Sequence, residues 1–455
     1  MEMVLEFLRD VLSQPALLIG IMSCIGLIAL KRPFHKIMTG TLKPILGYLM
    51  LAAGAGVIVS NLDPLGKMIE HGFHITGVVP NNEAIVAVAQ KVLGVETMSI
   101  LVVGLLMNLC IARFTKFKYV FLTGHHSLFM ACLMSAVLGT AGLSGMELIL
   151  VGGFLMGAWS AISPAIGQSY TSKVTDGDEI AIGHFGSLGY YLSAWVAKYV
   201  GKAEDSTEDI EIPEKWGFLR DSTLSTALTM IVFYLIAAFA AGSEFVATLS
   251  GDMSPYLYAV MSAMNFAVGV TIVYSGVRMI LGDLIPAFQG IATTIIPNAI
   301  PAVDCAVFFT YAPTAVVLGF LSSFIGGIIG MLILGAVGGV LIIPGLVPHF
   351  FCGATAGIYG NATGGRRGAA VGAFLNGLAI TFLPALALPV LGQLGFQNTT
   401  FGDADFAVMG LVLGNAYEWI GMAGIYGIVA IAALVLIIPN FIKTKGKVIN
   451  YVEED

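Results

Sequence analysis

Charge is what this chain has least of. Its 455 residues include 21 Lys+Arg and 28 Asp+Glu, or 11% charged, against roughly 25% in soluble proteins. That is too little to coat a soluble surface. Cysteine is sparse and scattered: Cys24, Cys110, Cys132, Cys305 and Cys352 lack the paired spacing of a structural metal site or a disulfide scaffold. The Gly-rich strings GGFLMG, GGIIGM, GAVGGV and NATGGRRG lack the Lys-Ser/Thr ending of a phosphate-binding loop, so the chain carries no ATPase machinery of that kind. No HExxH, CxxC or haem-type pattern occurs, and no cofactor or metal is expected. A net charge of -7 with a pI near 5.5 offers nucleic acid no basic surface. What is present is apolar: 57% hydrophobic residues and a mean hydropathy of +0.90, with 56 Gly and 17 Pro spread through the apolar stretches. This is the composition of an all-α polytopic membrane protein, in which Gly and Pro are commoner than in soluble helices.

Apolar runs able to cross roughly 30 Å of hydrocarbon lie near 15–30, 44–60, 98–112, 119–141, 147–162, 226–245, 257–277, 305–323, 328–347, 368–387 and 420–440, about eleven spans. The first follows no basic leader or small-residue cleavage site and is read as a retained span. Basic residues set the orientation. With the N-terminus outside, all Lys and Arg except Arg9, Lys67 and Lys91 fall on the cytoplasmic side, as does the C-terminus. The most hydrophilic segment, 201–225, is a cytoplasmic linker loop between a first transmembrane half, 1–200, and a second, 226–455. A weak echo joins the halves: KIMTGTLKPILG at 36–47 and RMILGDLIPAFQG at 278–290 share Lys/Arg, Gly, Leu and Pro at one constant offset.

Four stretches do not read as plain spanning helices: 61–97, 180–200, 283–302 and 403–418. Broken backbone at membrane depth is tolerable where protein or a water-filled cavity satisfies it, so each is a candidate cavity wall, and ionisable groups beside such breaks default to function. Asp304 follows a stretch broken by Pro286, Pro297 and Pro301; it reads as a ligand acceptor, as a helix N-cap, or as both. His125 and His126 open a span after Gly124, and His184 stands between glycines in IGHFG. An imidazole that donates and accepts suits a polyhydroxylated or enediol-bearing ligand. Asn82 and Glu83, in the VVPNNE turn, and the polar series Gln289, Thr293, Thr294 and Asn298 are weaker candidates.

The motifs LTGHH (122–126), TDGDEIAIGH (175–184), AVDCAVFFTYAPTAVVLGF (302–320), GTLKPILGYLMLAAGAGVI (40–58) and LIIPGLVPHFFCGATAGIYGNATGGRRGA (341–369) closely resemble the membrane IIC component of the bacterial ascorbate-type phosphotransferase system, over about residues 10–445. The resemblance implies a homodimer in the cell inner membrane, eleven transmembrane segments per protomer, inverted repeats, and a dimerising scaffold domain beside a mobile core domain. It implies elevator-type transport of L-ascorbate, phosphorylated at the cytoplasmic face by a phosphocysteine of the soluble IIB partner, which IIA recharges. The IIC chain is then a carrier and not an enzyme. Substrate contacts carried over by motif fall on Asn82 and Glu83, on His125, His126 and Phe129, on His184 and Phe185, and on Asp304. Members of the family carry glutamine at the positions of Phe129 and Phe185 and a Thr-Tyr pair at 82–83. A related sugar acid or pentitol is therefore the rival substrate, and an ion-coupled secondary transporter the rival class. On this topology, a reporter fused after Lys447 and a tag inserted near Asp209 are both expected to report the cytoplasm, which labelling with a membrane-impermeant reagent checks; periplasmic labelling of either site overturns the orientation.

Overall fold

The computed structural model describes residues 11, 14–74, 77, 78, 80, 82–177, 179–210, 222–392 and 400–441; the side chains of 83–94 and of several residues between 274 and 293 lie outside that description. The elements in chain order are α1 (Pro15–Ala29), α2 (Phe34–Phe73), α3 (Asn82–Phe114), β1 (Tyr119–Phe121), α4 (Gly124–Thr140), α5 (Gly145–Thr175), β2 (Ala181–Ile182), α6 (Ser187–Val200), α7 (Ser222–Ala241), α8 (Ser243–Ser250), α9 (Pro255–Thr294), β3 (Ile300–Val303), a short 3-10 helix (Cys305–Thr310), α10 (Pro313–Ala336), α11 (Leu346–Gly392), α12 (Ala404–Ile420) and α13 (Met422–Phe441). Proline opens α1, α9 and α10 at their first turns, where its missing N–H costs nothing and its fixed φ suits the helix. Gly242, with φ of 82°, makes the corner between α7 and α8, which meet at 116°.

Among the described residues, 7 helices are long and apolar enough to cross a membrane, or 8 if the bent pair α7 and α8 forms one span. The chain is thus a polytopic helical membrane protein. Three places account for the difference from about eleven sequence-read spans. The run 15–30 forms a helix of 15 residues, short of a full crossing. The run 119–141 is a strand followed by a helix of 17 residues. The runs 305–323 and 328–347 meet on one continuous helix, α10 (Pro313–Ala336), because FIGG between them carries neither charge nor proline and continues the helix without a break. The 36–47 and 278–290 strings lie in the first turns of α2 and the last third of α9, so they do not align the two helices end to end.

The helices sort into two groups by their packing. In one, α2 and α9 form the main pair, with α1, α7 and α8 around them; in the other, α11 packs broadly on α10 and α6, and α3, α4, α5, α12 and α13 complete the body. The two groups meet over much smaller contacts, such as α2 on α11 and α9 on the 3-10 helix. The α2–α9 pair is antiparallel and notched by glycine. A Cβ at Gly54 would lie 2.7 Å from the Gly269 carbonyl oxygen and one at Gly47 2.8 Å from that of Gly276; the reciprocal approaches are 2.9 Å and 2.6 Å. Small residues let helix backbones meet in this way where lipid provides no hydrophobic drive. Lys43 of α2 and Asp283 of α9, 3.6 Å apart, tie the same pair near one end.

A feature absent from the sequence reading is a buried three-stranded parallel sheet in the order β1-β3-β2. Tyr119, Val120 and Phe121 pair with Ile300, Pro301 and Ala302, while Ala181 and Ile182 pair with Ala302 and Val303. The N–H groups of Leu122 and Gly183 extend the ladder to the carbonyls of Ala302 and Val303 at 2.9 and 2.7 Å. The outer edges are closed by side-chain amides. Asn108 of α3 donates to the Tyr119 carbonyl and accepts from the Phe121 N–H, and Gln168 of α5 donates to the Ile180 carbonyl. Backbone broken at membrane depth must find partners within the protein, and here the breaks partner one another. Because its Cβ would drive into a backbone carbonyl, Gly54→Val is expected to cost about 1–3 kcal/mol, read as a lower melting temperature in detergent. Gly282→Ala, where a Cβ meets nothing within 4 Å, serves as the control and is expected to leave the melting temperature unchanged or raised.

Candidate functional site

Each strand of the sheet runs directly into a residue singled out from the sequence. After β1 come Leu122, Thr123 and the first turn of α4 with His125 and His126; after β2 come Gly183 and His184; after β3 comes Asp304. Parallel strands present their carboxyl ends together, so segments far apart in the chain deliver their side chains to one place. Gly183 is required for this closeness, since a Cβ there would lie 2.4 Å from the Ala302 carbonyl oxygen.

These residues border a cavity of about 1210 Å³ lying between the two helix groups. One wall is α2, apolar through Leu51, Ala52, Ala55, Val59 and Leu62 and charged farther along at Asp63, Lys67 and Glu70. On the facing wall stand Asn82, His125, His126, Phe129, His184, Asp304 and Asp403. Asp304 is 7% exposed, and His126 and His184 are each 4% exposed.

Asp304 takes the N-cap role expected of it and also borders the cavity. Its Oδ1 accepts from the Ala306 N–H at 3.2 Å, capping the 3-10 helix, while Oδ2 lies 3.4 Å from His125 Nε2. The other nitrogen of His125 lies 3.4 Å from the hydroxyl of Tyr48, which reaches across from α2. The His126 and His184 rings sit 3.8 Å apart, centroid to centroid. Backbone N–H groups fix both: Phe185 donates to His126 Nδ1 at 3.3 Å and Gly186 to His184 Nδ1 at 3.1 Å. An amide N–H only donates, so each Nδ1 accepts and each neutral ring carries its proton on Nε2. The cavity wall therefore combines fixed imidazole N–H donors with carboxylate acceptors.

The remaining candidates are placed less directly. Phe129 borders the cavity and lies edge-on to His125. Phe185 does not border it; its ring stacks on Phe121 at 4.6 Å, and its contribution is the backbone bond to His126. Asn82 borders the cavity with its amide already engaged, donating to Asp403 Oδ2 at 2.6 Å and accepting from the Gly402 N–H at 2.9 Å. The side chains of Glu83, Gln289 and Thr293 lie outside the described residues.

Sequence reasoning missed Tyr48, Cys305, Cys352, Asp403 and Asp405. Tyr48 sits unmarked in an apolar run. Asp403 and Asp405 stand just before and at the start of an apolar run, the pattern of a helix cap and a first-turn acid. Asp403 occupies the N-cap position of α12 yet makes no cap bond; it accepts instead from the Cys352 thiol at 2.7 Å and from Asn82. Asp405 accepts from the Ser187 hydroxyl, the Leu188 N–H and the Trp159 indole N–H at 2.8, 3.0 and 3.3 Å. Its own N–H donates to the Phe185 carbonyl at 2.9 Å. It thus caps α6 and holds the turn that carries His184.

His184 approaches Asp304 and Cys305, and separately Cys352 and Asp403, with one ligand atom from each within 4.8 Å of the others. Coordination needs a free imidazole lone pair. Here the Gly186 N–H takes that of Nδ1 and Nε2 carries the proton, so the donor set suits hydrogen bonds to a polar solute better than a metal ion.

Membrane-crossing helices, a strand-braced break at depth and a hydrogen-bonding cavity between two helix groups are the build of a permease for a small polar solute. Residues 10–405 match the EIIC-GAT family, PTS system sugar-specific permease component, and the chain belongs to that family. It is also similar to a protein of Mycoplasma pneumoniae (strain ATCC 29342 / M129 / Subtype 1) named "Ascorbate-specific PTS system EIIC component", with 28% identity over 417 residues. That match covers 78% of this chain and 62% of the relative, so the chain spans under two thirds of the relative's length. Since buried Asp405 pairs three donors, Asp405→Ala is expected to cost roughly 3 kcal/mol in a thermal melt of the detergent-purified chain, and Asp405→Asn, which keeps one acceptor oxygen, less.

Proposed function

We propose that the chain carries L-ascorbate across the bacterial inner membrane and delivers it for phosphorylation by a soluble IIB partner recharged by IIA. The carrier itself takes no phosphoryl group. The observation that carries this reading is the convergence of His125, His126, His184 and Asp304 on one cavity in a chain of the EIIC-GAT family. The name of the Mycoplasma relative supports ascorbate as the solute. Ascorbate is a monoanion at neutral pH, with an enediol on a lactone ring and a hydroxylated side chain. Imidazole N–H groups match its anionic and carbonyl oxygens, and carboxylates match its hydroxyls. Asn82, Glu83, Phe129 and Phe185 complete the proposed site, with Phe185 acting through its backbone.

The movement we infer is of the elevator type. The α2–α9 group serves as scaffold and homodimer interface, and the group holding the sheet serves as the moving core. Sparse packing between the groups, with the cavity at their junction, supports this division. The N-terminus is outside and the C-terminus cytoplasmic. Phe129 on the cavity wall favours a second reading within the same family, a related sugar acid or pentitol, because a ring there offers no hydrogen bond where family members carry an amide.

Binding to the detergent-purified chain, by calorimetry, tests the site. Asp304→Asn turns one acceptor into a donor while keeping a capping oxygen, and should lower affinity for L-ascorbate by about 1.5–3 kcal/mol, roughly ten- to a hundredfold. A change under twofold would leave Asp304 as a cap alone, and no binding by the unmutated chain removes ascorbate. In cells, removal of the IIB phosphocysteine should collapse uptake. Undiminished accumulation of unmodified ascorbate that a protonophore abolishes would establish ion-coupled transport instead.

A further inference from the structure

We propose that Asp403 is a second substrate-binding carboxylate, taking a ligand hydroxyl different from the one Asp304 takes, and that the two acids together set specificity for a solute hydroxylated at more than one position. This rests on the reading that the cavity binds a polyhydroxylated anion.

The argument begins with where Asp403 is not bonded. An Asp at an N-cap ordinarily accepts from the N–H groups of its own first helical turn. Asp403 makes no such bond and its side chain borders the cavity instead, at 5% exposure. It is held there by two donors, the Cys352 thiol on Oδ1 and the Asn82 amide on Oδ2. A carboxylate has about four lone-pair sites, so two donors orient it without exhausting it. Asn82 is itself oriented by the Gly402 N–H, and the Tyr190 hydroxyl lies 3.5 Å from the Cys352 sulfur and 2.8 Å from His184 Nδ1. This supporting shell aims an acceptor, as a preorganised site requires.

Asp304 and Asp403 each approach a nitrogen of His184 within 4.8 Å, so the imidazole stands near both acids. Carboxylates accept only, and an anionic ligand oxygen also accepts only. The charged oxygen must therefore lie on the imidazole N–H donors, and each acid must face a ligand hydroxyl. Two acids need two hydroxyls, which a singly hydroxylated acid lacks.

The experiment compares L-ascorbate with its 5-deoxy and 6-deoxy analogues by calorimetry on the purified chain and on Asp403→Asn, Asp304→Asn and Cys352→Ser. In the unmutated chain, loss of the hydroxyl facing Asp403 should weaken binding about tenfold or more. In Asp403→Asn that ratio should fall to near one, while Cys352→Ser, which keeps a donor beside Asp403, should preserve it. Asp304→Asn should also preserve it, and this arm reads the proposal even if Asp403→Asn does not fold. A ratio unchanged in Asp403→Asn, or abolished in Asp304→Asn, overturns the proposal while ascorbate binding stands. Absence of ascorbate binding by the unmutated chain overturns the substrate reading and this proposal together.

Discussion

Everything at the site depends on three short parallel strands pairing where the helices are broken. A chain that stops being helical inside a membrane exposes N–H and C=O groups that lipid does not satisfy, at several kcal/mol each. Here the breaks at 119–121, 181–182 and 300–303 satisfy one another, and the amides of Asn108 and Gln168 close the edges. The same pairing fixes the register of three segments distant in sequence. A slip of one residue would turn His184 or Asp304 away from the others, because side chains alternate along a strand. The ladder that makes the interruption affordable is thus also what assembles the polar wall.

Around this frame, most donors and acceptors are oriented by neighbours rather than by a ligand. Backbone N–H groups set the tautomers of His126 and His184, Ala306 holds one oxygen of Asp304, and Asn82 with Cys352 holds Asp403. Asp405 anchors the α6 turn from below. Preorganisation of this kind lowers the cost of ordering side chains when a solute binds. It also lets Asp403, Asp405, His126 and His184 sit buried, since each is engaged by a neighbour before any solute arrives.

The sequence made the membrane class legible through composition, and the site through ionisable residues beside helix breaks. Asp304, His125, His126 and His184 stood out because charge and imidazole are rare in apolar surroundings, and they do border one cavity. The sheet was not legible, because strands of two to four residues leave no periodicity to detect and their partners lie far away in sequence. Asp403 was hidden by a familiar local pattern, an acid before a helix, whose usual meaning is a cap. Tyr48 was hidden because an aromatic ring in an apolar helix needs no explanation until its hydroxyl meets His125. Phe185 shows the converse: its neighbour His184 drew attention to it, but it serves through its backbone. Span counting went astray where hydropathy alone had to separate α10 into two runs.

The wall formed by α2 has a mechanical meaning. Between Tyr48 and Asp63 its cavity-facing side chains are Leu51, Ala52, Ala55, Val59 and Leu62, none of which forms a hydrogen bond through its side chain. Methyl and methylene groups exchange one neighbour for another with little change in energy, whereas a row of polar groups would notch the surface into discrete resting places. Close approach at Gly47–Gly276 and Gly54–Gly269 holds α2 against α9 along that stretch. On the proposed elevator reading, this face of α2 would be a low-friction bearing beside a finely registered polar cluster: translation of one group past the other would meet a smooth energy profile, and the Tyr48–His125 contact would be the detent at the position seen here.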